Sequence, residues 1–203
     1  VLLFLFGCSG KAVFEKPIHR IESHIFGYQQ AFFHSLRKSH IAGIISLSES
    51  GFVMTRIEIQ KGISLILAQK QKAEIDMELK RLSDARTQVT LKIRGKIMNK
   101  DIFQEDLFHR MNQYMTGLDT RPSYNPVARM IPIYQFPDPK SPQVAYITPG
   151  ETITLVEPKE DSPWYSVTLI TGGIGYVQKQ NVSMLSLCAS FQCANVKDTH
   201  QEN

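Results

Sequence analysis

A chain of 203 residues is long enough for one or two domains with a real hydrophobic core. Its apolar share of 42% argues against a disordered chain. The net charge of +4 is too mild for the clustered basic footprint of a nucleic-acid binder.

Residues Val1-Leu2-Leu3-Phe4-Leu5-Phe6-Gly7 form an unbroken apolar run that ends at Cys8. A bilayer span needs about twenty such residues, so residues 1–7 read as the remnant of a signal-peptide h-region. With neither an initiator Met nor a basic stretch before it, the sequence is expected to begin inside that signal. A buried N-terminal strand is the alternative. Leu5-Phe6-Gly7-Cys8 resembles the lipobox of bacterial lipoproteins, which implies cleavage before Cys8 and acylation of its thiol. Two or three acyl chains, at about 0.8 kcal/mol per buried methylene, would tether the protein almost permanently. Ser9 follows, and by resemblance to enteric lipoproteins it implies the periplasmic face of the outer membrane. Residues 8–16 then serve as a lipid-anchored spacer.

Residues 17–117 are expected to form a mainly helical domain. Pro17 suits a first helical position, and Ile18, Ile21, Ile25, Tyr28, Phe32 and Leu36 recur at helical steps toward Lys38 and His40. Ile41 to Gly51, with its glycines and serines, reads as a break. Met54 to Ile59 alternates as a strand. From Ile63 to Arg86 the spacing of Leu65, Ala68, Ile75, Leu79 and Leu82 predicts a second helix, whose middle, Gln69-Lys70-Gln71-Lys72, faces water. Val89, Leu91 and Ile93 alternate as a half-buried strand ending near Gly95, with a continued helix as the rival. Asp101 and Gln104 resemble a capping arrangement for a helix carrying Phe103, Leu107, Met111 and Tyr114, which Gly117 ends. Residues 118–129, with Pro122 and Pro126, read as a linker.

Residues 130–186 carry five short strands between turn residues: Ile131 to Tyr134, Val144 to Ile147, Thr152 to Val156, Trp164 to Leu169, and Ile174 to Val177. Such a run predicts a small five-stranded barrel. Tyr134 to Pro139, Gly150-Glu151, Trp164-Tyr165-Ser166-Val167 and Gly172-Gly173-Ile174-Gly175-Tyr176-Val177 together resemble the bacterial SH3-like (SH3b) domain. Tyr176 stands where that family more often has Trp, and the first strand lacks its common Arg. The whole chain thus reads as α+β, a mainly helical N-terminal and middle region followed by an SH3-like β-barrel. Residues 187–203 are a polar tail. With lipid on Cys8, Cys188 and Cys193 remain as either a disulfide or two free thiols.

No pattern for catalysis is present. There is no Gly-x-Ser-x-Gly elbow, phosphate loop or His-Glu-x-x-His, and His19, His24, His34 and His40 do not stack on one helical face. A Cys-x4-Cys without nearby histidines is a poor metal site. No metal or other cofactor is expected, nor a nucleic-acid partner. Alternation assigns Tyr165, Val167 and Leu169 to the barrel core and leaves Trp164, with Tyr134, Phe136 and Tyr176, for a ligand or partner groove. The sequence therefore points to a non-catalytic envelope lipoprotein that contacts other envelope proteins. A structural or accessory subunit of an envelope-spanning assembly such as a secretion system is the first reading. A stand-alone peptidoglycan-binding lipoprotein is the second, and a cell-wall hydrolase the third.

Overall fold

The computed structural model describes residues 27–117, 127–156 and 162–189. Strand β1 (Tyr28–Phe32) leads into helix α1 (Leu36–Glu49). A meander follows: β2 (Val53–Gln60), β3 (Ile63–Lys70), β4 (Ala73–Ser83) and β5 (Arg86–Arg94), and then helix α2 (Lys100–Thr116). The second lobe holds β6 (Ile131–Tyr134), β7 (Gln143–Ile147), β8 (Thr152–Leu155), β9 (Trp164–Thr168), β10 (Ile174–Gln178), the short helix α3 (Lys179–Val182) and β11 (Ser186–Ala189).

Among the described residues these strands form one open sheet. Ten run antiparallel in the order β1-β5-β4-β3-β2-β7-β6-β10-β9-β8, and β11 joins beyond β8 in parallel. The first lobe is therefore not mainly helical, because four long strands occupy residues 53–94. The helix expected from Ile63 to Arg86 is two strands and a hairpin. Ala73, Ile75, Met77 and Leu79 are buried while Glu74, Glu78 and Lys80 are exposed, a period of two. Ile75 and Leu79 lie four apart, a spacing that fits both periods; Met77 between them decides for the strand. The polar Gln69-Lys70-Gln71-Lys72 is the hairpin, with Gln71 at φ 54°.

The helix expected from Pro17 to His40 gives way to a strand over Tyr28–Phe32, with α1 starting only after its Ser35 cap; residues 17–26 lie outside the described residues. The expected break from Ile41 to Gly51 is mostly the body of α1. Its small residues serve close packing rather than a turn: a Cβ on Gly43 would sit 2.8 Å from the Met77 sulfur. Helix α2 ends at Gly117 as expected, but Asn99 precedes it with no side-chain cap, and Gln104 is buried. The strands expected at Met54 to Ile59 and Val89 to Ile93 are β2 and β5.

The second lobe has strands where the turn residues predict them, yet no closed barrel. Among the described residues β7 pairs with β6 and β2, while β8 pairs with β9 and β11, so nothing closes the ring. The edge that closure would need is spent on joining the first lobe.

Two cores result, one on each face. Helices α1 and α2 pack on Ile57, Ile66, Met77 and Leu91. Ile131, Ile133, Ala145, Ile147, Val167 and Val177 form the other core. Directly paired residues share a face, and Ala145 and Ile147 stand opposite Glu58 and Arg56, so the second core, to which Val182 of α3 belongs, lies on the sheet face away from α1 and α2.

Candidate functional site

In β6, Ile131 and Ile133 enter the second core, which turns Pro132 and Tyr134 to the other face. Tyr134 stands directly opposite Tyr176 of β10. The Trp164 ring, at the start of β9, meets Tyr134 edge-on with centroids 5.5 Å apart and planes at 85°. Such edge-to-face pairs are favourable by about 1 kcal/mol beyond the area they bury. Pro132 pairs with Tyr146 of β7, whose hydroxyl donates to the Gln143 side-chain oxygen. Burial raises the Tyr146 phenol above its ordinary value, and the Tyr134 phenol adds to the rise. Tyr146, Tyr134, Tyr176 and Trp164 thus form one half-buried aromatic row on the helix-bearing face of the sheet.

A rigid turn carries the fourth predicted site residue. Phe136 is 57% exposed at the tip between β6 and β7. The turn is fixed by Gln135 N–H on the Pro142 carbonyl at 2.8 Å, Phe136 N–H on Ser141 Oγ at 3.0 Å and Lys140 N–H on Asp138 Oδ1 at 2.8 Å. Gly175 lets β10 lie flat behind the row, because a Cβ there would fall 2.4 Å from Ile133 Cγ2. Val167 and Leu169 are buried in the core as alternation predicts, and Tyr165 packs partly against it beneath Lys179 Nζ at 5.1 Å. The row offers ring faces and phenol hydroxyls, which suit apolar and hydrogen-bonding contact.

A second constellation was not visible in the sequence. Arg56 and Glu58 are 7% and 0% exposed and pair at 3.6 Å. The Glu58 carboxylate accepts the N–H groups of Ile170 and Thr171 at 3.0 and 2.8 Å and the Thr171 hydroxyl at 2.9 Å. Arg56 donates to the Thr152 carbonyl, and Thr148 donates its hydroxyl to the Met54 carbonyl at 2.8 Å. These bonds tie the β9–β10 turn and the start of β8 to β2. Alternation alone marks Arg56 and Glu58 as a solvent face; only the pairing of β2 with β7 buries them.

His40 is the other buried ionisable group of note. Its Nδ1 lies 2.6 Å from the Ser64 hydroxyl, and burial pushes its pKa down to about 4. The pair is sealed, with Ser64 fully buried, and it lines neither of two grooves, of about 480 and 610 Å³, in the first lobe. Among the described residues no group of three His, Cys, Asp or Glu side chains comes together to hold a metal. Cys8 and Cys193 lie outside the described residues, and Cys188 falls in β11. No helix among the described residues is long and apolar enough to cross a membrane. No protein-family model matches this chain, and no curated protein matches it.

Proposed function

We propose that the protein is a non-catalytic lipoprotein of the bacterial cell envelope whose aromatic row holds a partner protein. It would act as a structural or accessory subunit of an envelope-spanning assembly such as a secretion system, on the periplasmic face of the outer membrane. The row of Tyr146, Tyr134, Tyr176 and Trp164 is the observation that carries this reading. Rings held on short paired strands cost little entropy on binding, and aromatic residues dominate protein interfaces. The anchor rests on Leu5-Phe6-Gly7-Cys8. A tether raises the local concentration of the row at the membrane, so a modest contact persists.

The phenol hydroxyls among the rings favour a second reading, in which the row stacks on the sugars of peptidoglycan. A crosslinked pull-down from envelope extracts with wild-type and Trp164→Ala protein separates the two. Recovery of envelope proteins in stoichiometric amount, lost in the variant, is expected. Recovery of cell-wall fragments alone would reject the protein partner. The anchor is tested separately: wild type should require detergent for extraction and Cys8→Ala should not. A Cys8→Ala protein that stays in the membrane fraction would reject lipidation.

A further inference from the structure

We infer that the end of the first lobe where β3 turns into β4 and β5 leads into α2 docks on an anionic lipid bilayer. Three segments meet there, residues 49–53, 70–73 and 95–102. Gly95, at φ +79°, lies so close to the hairpin that a Cβ would fall 2.0 Å from the Lys72 carbonyl oxygen. Lys70 donates to the Ser50 carbonyl at 2.8 Å and stands 5.8 Å over the Phe52 ring.

The first sign is apolar. Among the described residues three of the four most exposed large apolar side chains belong to these segments: Met98 at 87%, Ile102 at 64% and Val53 at 61%. Met98 also lines a groove of about 480 Å³, together with Phe52 and Phe103, whose rings are 5.6 Å apart. Exposed apolar side chains mark a contact site where they gather, and Met98 gathers with Ile97, Phe52 and Phe103 around that groove.

The second sign is charge. The three segments hold four lysines, Lys70, Lys72, Lys96 and Lys100, against Glu49 and Asp101. Lys70 and Lys100 donate to the neutral carbonyls of Ser50 and Ile93 and form no ion pair among the described residues, while the Glu74 and Asp76 carboxylates beside the hairpin are held by Arg94 at 3.0 and 2.9 Å. The nearby Asp106 is taken by Arg110 at 2.7 Å. Exposed apolar side chains ringed by lysines suit the boundary between headgroups and acyl chains: Met98 and Ile102 enter, while the lysine stems snorkel to the phosphates.

The chain also enters the described fold at this end. Tyr28 pairs with Leu91, and a Cβ on Gly27 would lie 2.7 Å from the Leu91 carbonyl oxygen. A lipid on Cys8 and this face would then serve the same membrane, but the inference does not need the anchor.

The test is vesicle flotation of full-length Cys8→Ala protein, so that loss of the lipidation reading leaves it intact. Mixed phosphatidylcholine–phosphatidylglycerol vesicles are compared with phosphatidylcholine alone. Preferential, salt-sensitive binding to the mixed vesicles is expected. The Lys72→Glu/Lys96→Glu double variant should bind about tenfold more weakly or worse, and Met98→Asp should also lose binding. Leu82→Asp, at an exposed apolar residue of the opposite end, should bind like the parent. All these positions are exposed, so each variant should keep its folded circular dichroism. The proposal is overturned if phosphatidylglycerol makes no difference, if the charge and Met98 variants bind like the parent, or if Leu82→Asp fails equally. It is also overturned if vesicles are ignored while the variants lose an envelope protein from the pull-down, which would make this end a protein contact.

Discussion

The two lobes share one sheet but not one depth of core. Strands β2 to β5 run 8 to 11 residues and carry two helices, so the first lobe buries long rows of Ile, Leu and Met. Strands β6 to β10 run 4 or 5 residues over a smaller core. Burial grows with the size of a core, so the smaller lobe has less to stand on. It compensates by giving its β7 edge to β2 and by closing over Arg56 and Glu58. The difference teaches a dependence: the second lobe, with its aromatic row, leans on the first.

That dependence can be broken most sharply at Glu58. Glu58→Ala strands a buried guanidinium and frees the β9–β10 turn, which should cost roughly 3–5 kcal/mol. Hydrogen exchange should rise more at β9 and β10 than at β4. Equal rises in the two lobes would mean that the pair does not single out the second lobe. Leu79→Ala opens a cavity in the first core and should cost roughly 2–5 kcal/mol, read as a lower denaturation midpoint. Here both lobes should lose protection together. A second lobe that stays protected would contradict the dependence.

A smaller effect should appear with pH, through His40 of the first lobe. Burial holds His40 near a pKa of about 4, against an ordinary 6.5. Above about pH 6.5 the imidazole is neutral in both states, and the fold keeps its full stability. As pH falls toward about 4 the unfolded chain takes up a proton that the fold refuses, and about 3 kcal/mol is lost before the effect levels off. Urea midpoints across that window should fall for the wild type and fall less for His40→Gln. Identical slopes would show that His40 is not the group responsible.

The smallest stability effect belongs to the site itself. Trp164→Ala removes one edge-to-face ring contact together with the burial of half a ring and should cost about 2 kcal/mol in melting experiments, while partner recovery collapses. A large loss of stability would make Trp164 a core residue instead.

The chain disclosed its second lobe more readily than its first, for a physical reason. Pro137, Pro139, Pro142, Gly150, Gly172 and Gly173 punctuate short strands, and proline and glycine limit the backbone whatever surrounds them. In the first lobe the β3–β4 hairpin turns through Gln71 and Lys72, which carry no such mark. The helical spacing of Ile75 and Leu79 then hid an alternation that Met77 and the flanking charges complete. The small residues of α1 looked like a break because what they touch, Met77 on another element, is a tertiary fact. Pairing was equally hidden. The join of β7 to β2 leaves no local trace, and with it went both the open edge of the sheet and the burial of Arg56 and Glu58. Alternation along β9 set Trp164 apart from Val167 and Leu169, whereas Phe136 lies in a turn that no alternation reaches. The gathering of Tyr134, Tyr176 and Trp164 into a row with Tyr146 depended on register.

The most direct test of the central claim places a photo-crosslinking side chain at position 176, inside the row, and in a second protein at position 78, exposed on the far face of the first lobe. Each protein is irradiated in intact cells. The account predicts one discrete envelope protein attached at position 176 and none at position 78. Equal products at both positions, or cell-wall fragments alone at position 176, would contradict it.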